Sequence, residues 1–139
     1  MVSYLIDTHI FLNACLRQDK NGKVVTKIIE NTNNYKYLSA ISLIEIAQLV
    51  ESKPKDLKIA TNLSSFFDNA LKDLNVQILP ILPEHAQRFY EIQFIKEHRD
   101  QYDKTIIAQA ASTGFTVISD DEKFPFYPIK LISISPASG

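Results

Sequence analysis

The feature that most constrains this chain is an alternation of two periodicities. Short apolar runs at residues 2–6, 35–40, 76–79, 115–119 and 131–134 read as strands. The first four are separated by longer stretches in which apolar side chains recur every three or four positions, the spacing of a helix face. A structured loop, Phe124-Pro125-Phe126 with Pro128, leads into the fifth. Strands joined through helices cannot pair as tight hairpins, because a parallel pair needs a crossover of a dozen or more residues, and such crossovers are right-handed. The expected fold is therefore α/β, a central parallel sheet between two helical layers. The run at 115–119 is almost continuously apolar, as a strand buried on both faces should be.

Local signals place the helices. Asp7 and Thr8 are both good N-caps for a helix over 9–16, Asn21-Gly22 marks a break, and Val24, Val25, Ile28 and Ile29 carry a second helix that ends at Asn31-Thr32-Asn33-Asn34. Ser42 enters a strongly apolar helical pattern that continues through Val50. Pro54 fits the first turn of an amphipathic helix bearing Leu57, Ala60, Leu63, Phe66, Phe67, Ala70, Leu71 and Leu74. Pro83-Glu84 opens another, with Ala86, Phe89, Tyr90, Phe94 and Ile95 as its buried stripe and its end near Arg99. Asp103 begins the last helical run, over 105–111, which Thr113-Gly114 terminates as a C-cap.

A chain of 139 residues with 45% hydrophobic and 22% charged side chains reads as one globular domain, residues 1–139. The lone Cys15 excludes an internal disulfide framework and lies in an apolar helical run, where packing is its expected role. The apolar start of the chain stops at Asp7 with no basic segment before it, unlike a signal peptide, and no run approaches the ~20 residues of a spanning helix. A cytoplasmic protein without membrane attachment is expected.

The acidic residues carry the chemistry. In an open parallel sheet, ligands bind beyond the carboxyl ends of the strands. Asp7 follows the first strand directly, Asp120 and Asp121 follow the strand ending near Ser119, and Glu45 lies about one helical turn past the strand ending near Ala40. Asp103 opens the helix that feeds the strand at 115–119. Singly, each has an ordinary explanation: a cap, a favourable charge at a helix start, a polar turn, or, for Glu45, a polar stripe with Ser42, Gln48 and Ser52. Independent caps have no reason to share one edge of the sheet, so their common address points to a site.

Carboxylates gathered in one place repel one another unless cations neutralise them. Oxygen ligands select a hard ion, Mg²⁺ or Mn²⁺, whereas zinc favours His or Cys, and His9, His85 and His98 show no metal-ligand spacing. The histidines read as structural, or as supports behind the acids. Such ions serve phosphodiester hydrolysis, activating water for in-line attack and stabilising the leaving oxygen. With only Gly22, Gly114 and Gly139, the chain has neither a phosphate-binding P-loop nor a dinucleotide fingerprint. Net charge is −1, yet with four acids committed to metal, 12 acids face 15 Lys and Arg over the rest of the surface, which leaves a modest attraction for phosphate.

Four segments in this order resemble the PIN-domain nucleases, and among them the VapC-like toxins of toxin–antitoxin pairs. They are Leu5-Ile6-Asp7-Thr8-His9, the stretch from Ser39 to Ala47 around Glu45, His98-Arg99-Asp100-Gln101-Tyr102-Asp103-Lys104 running into Ile106-Ile107-Ala108-Gln109-Ala110, and Val117-Ile118-Ser119-Asp120-Asp121-Glu122-Lys123-Phe124. The resemblance spans nearly the whole chain. It implies a metal-dependent endoribonuclease of PIN-like three-layer α/β/α form, with catalytic, metal-binding acids at Asp7, Glu45, Asp103 and Asp121. It selects Asp121 over Asp120, because the family's last acid stands two residues after a Ser or Thr and three before a Phe-like residue. By the same resemblance, Thr8, Asp100 and Ser119 support the acids, and Ser119 supplies a hydroxyl beside the metal.

Two positions depart from the family pattern. Gln101 stands where Pro is usual and Lys104 where Arg is usual, which implies a less rigid loop and a less bidentate phosphate contact. Arg99, Lys104 and Lys123 are the candidate contacts to an RNA substrate, though each also reads as solvated surface charge. The resemblance further implies a cognate antitoxin that lays a segment near the helices at 24–30 and 53–74, with a basic residue reaching the acids and competing with metal. Val25, Ile28, Ile29, Leu63, Phe66 and Phe67 on those helices offer apolar surface for a homodimer.

The rival readings are a non-catalytic PIN-like interaction module and a non-toxin PIN nuclease of RNA processing. Full retention of the four acids argues against the first. A receiver domain needs a phosphoacceptor Asp at the end of a middle strand, yet the strand at 76–79 runs into Pro80, and a haloacid-dehalogenase-type phosphatase needs Asp at the position of His9.

Overall fold

A computed structural model of the chain describes residues 2–16, 20–52, 59 and 62–134. Five strands, β1 (Ser3–Ile6), β2 (Tyr35–Ser39), β3 (Gln77–Leu79), β4 (Thr116–Ser119) and β5 (Leu131–Ser133), form one sheet in the order β3-β2-β1-β4-β5. Every neighbouring pair is parallel. Six helices cover it: α1 (Thr8–Cys15), α2 (Gly22–Glu30), α3 (Ala40–Ser52), α4 (Leu63–Leu74), α5 (Pro83–Glu91) and α6 (Gln101–Thr113). The result is a PIN-like α/β/α sandwich.

Alternation along β1 builds two cores. Ile6 faces a cluster with Ile10, Phe11, Val25, Ile29, Leu38, Ile46 and Ile118, while its neighbour Leu5 faces a second with Ile106, Ile107, Val117, Phe124 and Tyr127. Both strand residues are fully buried, as a parallel strand covered on both faces requires. The chain runs outward from β1 through β2 to β3, then returns to the other side of β1 for β4 and β5. The strand order therefore switches between β1 and β4, and the crevice beyond their carboxyl ends is the natural ligand position of such a sheet. Asp7 N–H donates to Ile118 O at 3.0 Å, extending the β1–β4 ladder by one residue and fixing Asp7 at that edge.

Two expected boundaries move. The helix from Pro83 stops at Glu91 rather than near Arg99, because the Ile95 N–H, which continued helix would direct to Glu91 O, instead donates to the Tyr127 hydroxyl at 3.1 Å. Phe94 packs edge-on against the same tyrosine ring, so a contact from distant sequence outweighs the helical spacing. At α6 the cap is Asp100, whose Oδ1 accepts the N–H of Tyr102 at 2.9 Å and of Asp103 at 3.3 Å, which sets Asp103 within the first turn rather than at its start. The described part of the amphipathic helix begins at Leu63, capped by Asn62, which accepts Ser65 N–H at 2.9 Å. The expected onset at Pro54 lies outside the described residues.

The apolar side chains assigned to a dimer face are largely used by the core. Val25 and Ile29 are buried in it, and Ile28, Leu63, Phe66 and Phe67 pack against it. No helix among the described residues is long and apolar enough to cross a membrane.

Candidate active site

The end of β1 and the start of α1 hold Asp7 from both sides. Its backbone is extended, at φ −63° and ψ 152°, and its Oδ1 accepts the Thr8 N–H at 2.8 Å as the helix cap. Oδ2 accepts the Ser119 hydroxyl at 2.7 Å from the neighbouring strand end. Only 2% of the residue is exposed. Burial raises its carboxyl to about 6, and the bonds from Ser119 and Thr8 oppose that rise without cancelling it.

Ser119 joins two acids. Its Oγ donates to Asp7 and accepts the Asp121 N–H at 3.0 Å, while Asp121 Oδ1 accepts the Lys123 N–H at 2.8 Å. The turn after β4 thereby sets Asp121 close enough to Asp103 for the two carboxyls to act on one another. Asp120, one residue earlier, is exposed.

Asp103 and Glu45 come from helices on either side of this edge. Asp103 is 8% exposed, and its carboxyl is pushed up to about 9, first by burial and then by the nearby carboxylates of Asp7, Asp100 and Asp121. Glu45, in the second turn of α3, is 9% exposed, and burial raises its carboxyl too, against a lowering contribution from the Thr8 hydroxyl. Thr8 lies 2.8 Å from Ser42 Oγ, so Ser42 belongs to this buried polar group and not to an outward stripe. Glu45 Oε1 is buried with no hydrogen-bond partner among the described residues.

The flanking predictions divide. Asp100 is exposed and serves the α6 cap, while its charge still acts on Asp103. Lys104 lies over the Phe94 ring, 5.2 Å from its centre, and the Lys123 ammonium donates to Glu97 O at 3.2 Å. Arg99 is exposed. Cys15, half-buried beside Asp73, has its thiol pushed up to about 12, chiefly by burial, and stays protonated and inert. Tyr127 was not singled out from the sequence, where a tyrosine between Phe126 and Pro128 looks like loop packing.

The donor set suits a hard cation. All four acids offer oxygen, one buried oxygen has nothing to bond, and a carboxyl raised to about 9 is one whose charge the bare protein cannot accommodate. Among the described residues, no three His, Cys, Asp or Glu side chains close into a ready-made cage.

The PIN domain family model matches residues 4–129, from β1 to the loop before β5. The chain belongs to the PIN-domain family. Its fold recurs in solved toxin–antitoxin structures. Over 96% of this PIN domain and 98% of the matched chain, the VapBC2 complex of Rickettsia felis bound to a promoter DNA fragment superposes with a TM-score of 0.69 at 20% identity. The DNA-bound VapBC of Salmonella typhimurium gives 0.68 at 20% identity over the same shares. FitAcB from Neisseria gonorrhoeae gives 0.63 at 23% identity, again over 96% and 98%. A comparison with curated proteins finds no match. At these identities the structural likeness establishes the fold of the PIN domain, and the roles of its acids rest on their own geometry.

Proposed function

We propose that this PIN domain is a Mg²⁺- or Mn²⁺-dependent endoribonuclease and the toxin of a toxin–antitoxin pair, with Asp7, Glu45, Asp103 and Asp121 as its metal-binding and catalytic acids. The observation that carries the reading is the unresolved acidity at the β1–β4 switch point: carboxyls from four separate segments, those of Asp7, Glu45 and Asp103 buried and that of Asp121 partly so, with Asp103 raised to about 9 and Glu45 Oε1 left without a partner among the described residues. A bound divalent ion supplies charge neutralisation to the phosphodiester and lowers the pKa of attacking water. The chain supplies position. Ser119 and Thr8 hold the Asp7 carboxylate in one orientation through its two oxygens, and the Ser119-anchored turn sets Asp121 close to Asp103. Glu45 closes the group from α3, and exposed Arg99 stands near the α6 start to meet the backbone of an RNA strand.

The toxin reading draws on the likeness to VapBC and FitAB assemblies across nearly the full length of each chain. An antitoxin segment with a guanidinium would find in the acids a bidentate partner and so compete with metal. The test has two arms. Purified protein should cut single-stranded RNA with Mg²⁺ or Mn²⁺ and stop with EDTA; full activity in EDTA defeats the metal mechanism. Expression of the chain alone should arrest growth, with rescue by a co-purifying antitoxin, whereas a harmless, metal-dependent nuclease leaves an RNA-processing enzyme and not a toxin.

A further inference from the structure

His98 is 1% exposed, yet it lies in the irregular segment between α5 and α6 and next to the acids. Three aromatic rings, Phe94, Phe124 and Tyr127, enclose it, with centroids at 6.4, 6.3 and 5.5 Å. Its Nδ1 lies 2.8 Å from the Tyr127 hydroxyl. That hydroxyl already accepts the Ile95 N–H at 3.1 Å, and its single hydrogen is then available to one acceptor. With Nδ1 as that acceptor, the ring carries its proton on Nε2. Nε2 has no hydrogen-bond partner among the described residues and faces Asp103 Oδ2 at 3.5 Å.

We propose that Tyr127 and His98 form a positioning relay for Asp103, in which the tyrosine hydroxyl fixes the imidazole as the Nε2–H tautomer and Nε2–H holds Asp103 Oδ2. This rests on the reading of Asp103 as a metal-binding acid. The relay couples the loop after β4 to the first turn of α6. Outer contacts of this kind orient the groups that bind an ion, and their loss typically weakens metal affinity by about 10- to 100-fold.

The decisive measurement is the tautomer. In metal-free protein labelled with ¹⁵N-histidine, the resonance lost in His98→Gln should show a protonated Nε2 and a bare Nδ1, and Tyr127→Phe should shift that ring toward a mixture of tautomers. A proton on Nδ1 in the wild type overturns the relay. Calorimetry with Mn²⁺ alone supplies the second readout: Tyr127→Phe and His98→Ala should weaken binding by about tenfold or more, and His98→Gln, which keeps a donor at the Nε2 position, should recover most of it. A folded His98→Ala that binds like wild type, or a His98→Gln as weak as His98→Ala, also overturns it. If His98→Ala does not fold, Tyr127→Phe and His98→Gln preserve the packing volume and decide the matter. Failure of the wild type to bind Mn²⁺ defeats the metal reading instead, and the tautomer result still decides the relay.

Discussion

Two corners of this PIN domain bury polar side chains, and they differ in how the polarity is resolved. At the end of β3, Gln109 is fully buried and its Nε2 donates to Pro80 O at 3.2 Å, while His85 Nδ1 accepts the Leu82 N–H at 3.0 Å. Neutral donors and acceptors from α5, α6 and the loop between β3 and α5 thus satisfy one another, with Gln109 Oε1 the exception. At the β1–β4 edge the buried groups are acids whose pKa values are raised, first by burial and then by one another's charge. The first corner ties elements together. The second spends stability on charge, and that is the mark of a site whose partner comes from outside.

The comparison breaks most sharply through activity. Asp7→Asn, Glu45→Gln, Asp103→Asn and Asp121→Asn should each lower the cleavage rate by orders of magnitude in a single-turnover RNA assay with Mg²⁺. Exposed Asp120→Asn should change it by no more than about twofold, the scale of an ordinary surface substitution. An inactive Asp120→Asn beside a fully active Asp121→Asn would move the site by one residue.

Next in size is the pH dependence of the metal-free fold. Asp7 and Asp103 bind protons more tightly when folded, at about 6 and about 9, than at their ordinary value of 3.8. Their contribution to stability is complete below about pH 4 and is lost as pH rises through the folded values. In EDTA, the chemical-denaturation midpoint should therefore fall between pH 5 and pH 9. Asp103→Asn should flatten the upper part of that fall, and added Mg²⁺ should restore stability at pH 9 by binding the native state. A midpoint that rises over the same interval would mean that the acids are not crowded.

Both corners were unequally legible in the sequence. Strand ends are legible from period and punctuation, and Asp7, Glu45 and the Asp120-Asp121 pair are counted from them, while the choice of Asp121 within that pair comes from the resemblance to PIN domains. The sequence reads Asp103 as the start of its helix, since Asp100 and Asp103 are both plausible starts and only the bonds from the Tyr102 and Asp103 N–H groups to the Asp100 side chain set it within the first turn. The early end of α5 and the part played by Tyr127 were not legible at all. Each depends on one hydroxyl meeting a backbone N–H from a segment 32 residues away, which no local periodicity records.

The neutral corner yields a smaller, opposite effect. Gln109→Leu removes the donor to the part-buried Pro80 O, a cost of about 1 kcal/mol. Denaturation should register that loss while the single-turnover rate per folded molecule stays near wild type. Equal losses of rate and stability would show that the two corners are coupled through α6, which carries both Gln109 and Asp103.

The smallest expected effect separates the three basic residues beside the acids. Lys123 already gives its ammonium to Glu97 O, and Lys104 rests over Phe94, so each must leave a partner to meet a phosphate. Arg99 is exposed and adjoins the Asp100 cap. Arg99→Ala should therefore raise KM for RNA by a few fold with kcat little changed, and should lower the slope of log affinity against log salt by about 0.7, the loss of one contact to a single strand. Lys123→Ala and Lys104→Ala should move that slope less. If Lys123→Ala has the largest slope change, its bond to Glu97 O opens when RNA binds, and the positive edge of the site lies on the β4 side rather than at the start of α6.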